Sequence, residues 1–237
     1  MAFLSPFSSN QEDTKMENFV QALETTVAKK KEELTAYHAY SPEELFQYKG
    51  KTMFSVLDFW CYAYSQLEGL SDTLAEFFVA KALGIEKAEN VNYWTAYDMA
   101  YRNKRIEVKA TSYVHPWNKQ ISHVRTFSIA PTHNSYWDSS SEWIHNEQTR
   151  SRQSEIYVFC LNNNKNIHAN NPLTIDNWIF YVVPTFEINN YCRDNPTQKK
   201  ISLNVVKHLA RKGVSFDAIK QEVDIAIERF DCYYKCQ

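Results

Sequence analysis

Hydrophobic positions in the first part of the chain recur at intervals of three and four residues, a spacing typical of helices. The segment "MENFVQALETTVAKKKEEL" follows this spacing, so we predict a helix within residues 12–47. "TMFSVLDFWCYAYSQL" is apolar along one face, and "SDTLAEFFVAKALG" ends at Gly84, a residue suited to the left-handed end of a helix. Two further helices are therefore predicted before residue 97.

The pattern changes to alternation in "YDMAYRNKRIEVKA" (97–110), which predicts a β-hairpin. Three later segments also read as strands: "RTFSIA" (125–130), "IYVFCL" (156–161) and "WIFYVV" (178–183). The last two are apolar enough to lie inside a sheet that is covered on both faces. The polar stretch 131–150 is predicted to be a loop.

Two helices are predicted near the C-terminus, one from a Ser202 cap to Gly213 and one within 215–230. Helices, a hairpin, further strands and helices in this order predict an α/β domain around a mixed sheet. The chain of 237 residues is long enough for one domain with a small addition. We assign residues 1–50 to an N-terminal helical extension and 51–237 to the main domain.

Composition excludes several classes of function. A formal net charge of −2 argues against a protein that coats nucleic acid by charge alone. No segment approaches the ~20 apolar residues that a membrane helix needs, and no secretory signal is recognisable, so we expect a cytoplasmic protein without a membrane partner. The five cysteines include no C-x-x-C pair, which indicates neither a disulfide framework nor a zinc cage.

The hairpin carries the strongest candidate chemistry. We predict a two-residue turn at Asn103 and Lys104, because Asn tolerates a positive φ angle. Asp98 then lies opposite Lys109, and the alternation of side chains brings Glu107 to the same face. Asp98 and Glu107 become diagonal neighbours, close enough for their carboxylates to share one cation.

Such a site would suit magnesium, which prefers carboxylate and water oxygens. The ligands would be Asp98, Glu107 and the carbonyl of Val108, with the small Ala100 leaving room. A metal of this kind stabilises charge on a phosphodiester and makes water nucleophilic near neutral pH. Lys109, beside the metal, would orient or help deprotonate that water and offset charge on the phosphate.

The pattern of Asp98, eight residues and then Glu107-Val108-Lys109 resembles the catalytic signature of the PD-(D/E)xK nuclease superfamily. In that superfamily an upstream helix often carries a further glutamate, and Glu76 in "LAEFFVAKALG" stands in the matching place. The resemblance implies that Glu76 supports the metal network formed by Asp98, Glu107 and Val108.

The wider resemblance covers about residues 54–212 and extends to an uncharacterised bacterial group with this nuclease-like core. It includes the segments "FWCYAYSQL", "IEVKATSY", "RQSEIYVF" and "NWIFYVVPT". Two departures are visible: Ala96-Tyr97 replaces the proline that names the signature, and His115 stands where relatives carry a glutamine.

The resemblance implies a restriction endonuclease-like core, with a mixed central sheet flanked by helices, in residues 51–237. It also implies a magnesium-dependent endonuclease acting on DNA, with manganese able to substitute. Cutting both strands of a duplex usually requires two active sites, so a homodimer is the natural assembly.

Five residues are candidates for contact with the substrate: Tyr113, His115, Trp117, Arg150 and Arg152. The arginines are candidates for a phosphate and the aromatic rings for bases or the groove wall. Ordinary surface arginines and aromatic packing are the alternatives.

Alternatives remain for the whole assignment. An E-x-K on an alternating strand also occurs as plain solvent-facing pattern, and Thr73 to Glu76 also fits a capping box at a helix start. Histidine spacings match no zinc motif. The rival function is a non-catalytic scaffold of the same fold that binds DNA or a protein partner in a defence or repair system.

Overall fold

The structure of the protein is a computed structural model. It describes residues 40–64, 70–85, 97–114, 121, 125–133, 136–137, 143–144, 150–166, 168 and 171–236. The predicted N-terminal helix lies outside these residues as far as residue 39. The chain divides into two compact units, residues 1–59 and 60–237.

Five α-helices, twelve strands and two short 3-10 helices, Ile175–Asn177 and Phe216–Ala218, lie within the described residues. The helices are α1 (Val56–Ala63), α2 (Ser71–Leu83), α3 (Thr185–Tyr191), α4 (Leu203–Ala210) and α5 (Ile219–Lys235). The strands are β1 (Leu45–Tyr48), β2 (Lys51–Ser55), β3 (Met99–Tyr101), β4 (Lys104–Ser112), β5 (Thr126–Ser128), β6 (Thr132–His133), β7 (Tyr136–Trp137), β8 (Trp143–Ile144), β9 (Arg150–Ser151), β10 (Ile156–Asn162), β11 (Trp178–Pro184) and β12 (Lys200–Ser202).

The first unit contains a β-hairpin where helix was predicted. β1 and β2 pair antiparallel, and the turn between them places Lys49 and Gly50 at positive φ angles of 50° and 73°. The predicted helices are therefore wrong for residues 45–47 and 52–55, because two left-handed residues in succession make a tight hairpin turn. α1 begins only at Val56, where the side chains of Ser55 and Asp58 each accept a backbone N–H of the other, at 3.1 Å and 2.8 Å.

The second unit is built on a four-stranded sheet in the order β11-β10-β4-β3. β4 and β10 run parallel, while the other two pairs are antiparallel, so the sheet is mixed. Every residue of β10 is buried. The predictions of strands at 156–161 and 178–183 and of a mixed α/β sheet are confirmed.

Helices cover both faces of this sheet. On one face, α2 and α5 pack over Ile106, Val108 and Val158. On the other face, α3, α4 and the strand pair β5–β12 pack over Tyr157 and Phe159. Since β4 pairs with β10 in register, Glu107 lies beside Tyr157 and Lys109 beside Phe159. The polar side chains of β4 therefore belong to the second face.

The remaining elements both confirm and correct the predictions. The side chain of Ser202 accepts the N–H of Val205 at 3.4 Å, as predicted for a cap, but α4 ends at Ala210 rather than at Gly213. Gly84 ends α2 in the left-handed region, as predicted. The prediction of a loop over 131–150 is wrong for its described parts, which form the short pairs β6–β9 and β7–β8. Within the described residues, no helix combines the length and apolar character that crossing a membrane would require.

The β3–β4 hairpin differs in register from the prediction. Ala100 pairs with Arg105, and the turn is centred on Arg102 and Asn103, whose φ angles are 50° and 59°. The predicted pairing of Ala100 with Glu107 is wrong by two residues. An even shift leaves each side chain on its predicted face, because side chains alternate with a period of two.

Candidate metal-binding active site

Asp98 immediately precedes β3, an edge strand of the four-stranded sheet. Its N–H donates to the carbonyl of Ile106 at 3.0 Å, and its Oδ2 accepts the N–H of Val108 at 2.6 Å. Val108 is buried, so its N–H needs an acceptor, and β3 is too short to supply one. The carboxylate of Asp98 is thereby fixed against the middle of β4.

Glu107 and Lys109 form an ion pair beside this carboxylate. Lys109 Nζ lies 2.5 Å from Glu107 Oε1, and both side chains are mostly buried, since Lys109 is 29% exposed and Glu107 19%. The other oxygen of Glu107 accepts a hydrogen bond from Ser154 Oγ at 3.3 Å. Ser154 is itself buried, just before β10. Sequence reasoning missed this contact, because a serine before a strand carries no signal until the parallel pairing of β10 with β4 is known.

The electrostatics of the site are dominated by crowded acids. Burial, and next the charge of Glu107, raise the pKa of Asp98 to about 7, although Lys109 and the bond from Val108 oppose the shift. Burial lowers the pKa of Lys109, but the charges of Glu107 and Asp98 outweigh it and the net shift is upward. Lys109 is thus held as a cation, which favours charge neutralisation and orientation of water over proton abstraction.

Helix α2 brings two more acids toward the site. Burial raises the pKa of Glu76, Lys109 opposes this, and the charges of Asp72 and Glu107 add to the increase. α2 begins at Ser71, so Glu76 lies beyond its first turn and the alternative of a capping box is wrong. Sequence reasoning missed Asp72; its spacing of four residues from Glu76 places both on one helix face.

The acidic side chains of the site are of the chemical type that binds a hard cation. Among the described residues, Asp72, Glu76, Asp98 and Glu107 all interact electrostatically with Lys109, and a further positive charge would relieve the repulsion between these acids. The N–H and C=O of one residue in a strand point to the same edge, so the carbonyl of Val108 points to the same side of β4 as the N–H that Asp98 accepts. Magnesium binds oxygen ligands, and carboxylate, carbonyl and water oxygens all suit it. In the described part of the chain, no group of three or more His, Cys, Asp or Glu side chains is placed so that it could hold a metal ion.

The three predicted substrate contacts that the structure describes have different surroundings. Tyr113 follows β4, and the centre of its ring lies 4.5 Å and 4.9 Å from the cationic groups of Arg125 and Lys165. Arg150 is exposed and its Nε donates to Nε2 of His133 at 2.8 Å.

Arg152 is engaged in the protein's own packing. Its guanidinium donates to the carbonyl of Ile129 at 2.9 Å, to Oδ1 of Asn189 at 2.8 Å and to the carbonyl of Gln198 at 3.1 Å. These bonds tie the segment before β10 to the elements on the second face. His115 and Trp117, the other two candidates, lie outside the described residues.

The structure gathers the predicted trio of Asp98, Glu107 and Lys109 at one edge of the sheet and brings Glu76 within electrostatic range. Comparisons with protein-family models, curated proteins and solved structures gave no match. The chemistry and geometry of Asp98, Glu107, Lys109 and Glu76 are therefore the basis for assigning a function.

Proposed function

We propose that the protein is a magnesium-dependent phosphodiesterase with a restriction endonuclease-like fold, and that it cleaves DNA. The observation that carries the proposal is the clustering of Asp98, Glu107 and Lys109 on adjoining positions at the edge of a mixed sheet. Side chains on an ordinary solvent-facing strand are exposed to water. The carboxylate of Asp98 is instead partly buried near Glu107 and Glu76, and its pKa is raised to about 7, as is common at functional sites.

Each residue of the cluster would have its own role. Asp98, Glu107 and the carbonyl of Val108 would hold Mg²⁺, with Mn²⁺ able to replace it, and Glu76 would support them from α2. When bound, Mg²⁺ would neutralise charge on the phosphate and make water a better nucleophile. Lys109 would orient that water and offset charge that develops on the phosphate oxygens. Ser154 would fix the orientation of Glu107 through their hydrogen bond.

A second candidate is the non-catalytic scaffold that binds DNA or a protein partner. The contacts within the cluster favour this candidate, because the polar groups already have partners in the protein. Lys109 forms an ion pair with Glu107, and Asp98 accepts a hydrogen bond from the N–H of Val108. A structural role would need no more than these contacts.

A metal titration separates the two candidates. Calorimetric titration with Mg²⁺ and with Mn²⁺ should show binding at pH 8 that is lost in Asp98→Asn, in which the acceptor for Val108 remains. Asp194→Asn, at an exposed site with no described partner, should bind metal as the wild type does. Equal binding by wild type and Asp98→Asn, or no binding by either, would contradict the assignment of Asp98 and favour the scaffold.

A further inference from the structure

The sign of the charge changes along one face of β4. Glu107, Lys109 and Thr111 lie on one face of β4, because side chains alternate along a strand. Tyr113 follows β4 and packs against the hydrophobic cluster on the same face. Beyond Lys109, two cations among the described residues contact this row, because Arg125 and Lys165 both lie over the ring of Tyr113. A polyanion bound at the proposed metal site and extending toward the C-terminal end of β4 would meet positive charge there.

The ring of Tyr113 is held in place from the protein side. Its backbone N–H donates to the carbonyl of Asn162 at 3.3 Å, and its carbonyl accepts a bond of 2.9 Å from the guanidinium of Arg125. The same guanidinium lies 4.5 Å from the centre of the ring and is buried. Arg125 therefore supports the ring and is itself too enclosed to serve as the main contact for a ligand.

Lys165 is the cation that reaches solvent. Its Nζ lies 4.9 Å from the centre of the Tyr113 ring, and the residue is exposed. Its neighbours fix its backbone, because the N–H of Asn164 donates to Oδ1 of Asn162 at 3.1 Å and the N–H of Asn166 donates to Oδ1 of Asn164 at 2.8 Å. A lysine held over an aromatic face in this way loses less side-chain freedom on binding than an unsupported surface lysine.

We propose that Lys165, positioned by Tyr113 and Arg125, is a contact for the DNA backbone beyond the phosphate that is cleaved. The inference rests on the proposed function, because it takes the cluster of Asp98, Glu107 and Lys109 to be the site of cleavage. Four residues of extended chain lead from Lys109 to Tyr113, about 13 Å, which is roughly four base-pair steps along the axis of a duplex. Lysine binds phosphate as a point charge without a demand for base sequence, so this contact sets the position of the strand and not the recognised sequence.

The test is binding of a fluorescein-labelled DNA duplex, measured by fluorescence anisotropy over a series of salt concentrations in EDTA, where no metal-dependent cleavage occurs. Lys165→Gln should weaken binding about fivefold and lower the slope of log affinity against log salt by about 0.9, the value for one lost phosphate contact. Lys165→Arg should keep the slope. Lys220→Gln, which removes the same charge from an exposed position on α5, should leave the slope unchanged.

Tyr113→Leu tests the positioning role. It keeps an apolar side chain but removes the ring under the ammonium group, so its salt slope should fall toward that of Lys165→Gln, an effect that lost packing alone would not produce. An unchanged slope in Lys165→Gln, equal losses in Lys165→Gln and Lys220→Gln, or no binding by the wild type would each overturn the proposal.

The binding test of Lys165 and the cleavage test of the proposed function can give different results. Weaker binding by Lys165→Gln, together with no cleavage by the wild type in Mg²⁺, would support the contact and contradict the enzyme. Metal-dependent cleavage with an unchanged slope in Lys165→Gln would contradict the contact and support the enzyme.

Discussion

The carboxylate of Asp98 accepts the backbone N–H of Val108 at 2.6 Å, which ties the candidate metal ligand to the strand that carries Glu107 and Lys109. The same contact gives Asp98 two functions, because it satisfies a buried N–H and brings a negative charge to the edge of the sheet. Substitutions at this position must therefore distinguish the loss of the acceptor from the loss of the charge.

Asp98→Ala should destabilise the protein more than Asp98→Asn does. Alanine leaves the buried N–H of Val108 without its acceptor, which typically costs about 1–3 kcal/mol, whereas the amide oxygen of asparagine can still accept it. Urea unfolding of both variants at pH 8 measures the difference in the free energy of unfolding. Equal stability of the two variants would show that the Val108 bond contributes little.

The pH dependence of stability should change in Asp98→Asn. The pKa of Asp98 is raised above its ordinary value to about 7, so its contribution to stability is complete below the ordinary pKa and is lost as pH rises through about 7. The wild type should lose up to roughly 4 kcal/mol relative to Asp98→Asn between about pH 4 and pH 8, since one pKa unit corresponds to about 1.4 kcal/mol. Unfolding in urea across this range, with Asp194→Asn as the control, tests the prediction. Parallel curves for wild type and Asp98→Asn would contradict it.

Removal of the lysine should destabilise the fold through the acids that remain. Lys109→Met keeps much of the side-chain volume but leaves Glu107 and Asp98 without their cation, at an expected cost of roughly 1–3 kcal/mol near neutral pH. The double variant Glu107→Gln, Lys109→Met should recover part of this loss. Free energies of unfolding for the two single variants and the double variant complete the cycle, and purely additive losses would argue against coupling between the pair.

Gly213 should be intolerant of a side chain. A Cβ at this position would lie 2.6 Å from Cγ2 of Ile179 and 2.8 Å from the ring of Tyr181, both on β11. Gly213→Ala should therefore lower the free energy of unfolding by roughly 1–3 kcal/mol, the usual cost of overpacking. Thermal and urea unfolding measure this change in the free energy of unfolding. If Gly213→Ala is as stable as the wild type, β11 can shift to accommodate the added methyl group.

The alternation of apolar and polar residues in β4 predicts the face of the sheet on which each side chain lies, but it does not predict the register of the hairpin. Ile106 and Val108 lie in the core and Glu107 and Lys109 lie on the opposite face, as the period of two requires. The turn lies one residue earlier than predicted because Arg102 adopts a positive φ angle, a conformation that a long side chain seldom takes. Its guanidinium pairs with Asp224 of α5 at 2.7 Å, a tertiary contact that no local pattern reveals.

Two other differences between the sequence predictions and the structure have different causes. The hairpin at Leu45–Ser55 has a local signal, since Lys49-Gly50 is suited to a two-residue turn, but the helical spacing of nearby apolar residues favours a helix over the same stretch. Ser154 has no local signal, because its contact with Glu107 depends on the pairing of strands far apart in the chain. Local patterns thus predict elements and faces, while partners across the sheet require the fold.

The measurement that tests the central claim most directly is cleavage of plasmid, linear and single-stranded DNA by the purified protein in Mg²⁺ or Mn²⁺. EDTA, Asp98→Asn and Lys109→Ala serve as controls for the metal, its ligand and the cation. The proposal predicts metal-dependent cutting that is abolished by EDTA and lost in both variants, with Lys220→Gln cutting as the wild type does. Undiminished cutting by both variants, or no cutting of any substrate together with no metal binding, would contradict a catalytic centre at Asp98, Glu107 and Lys109.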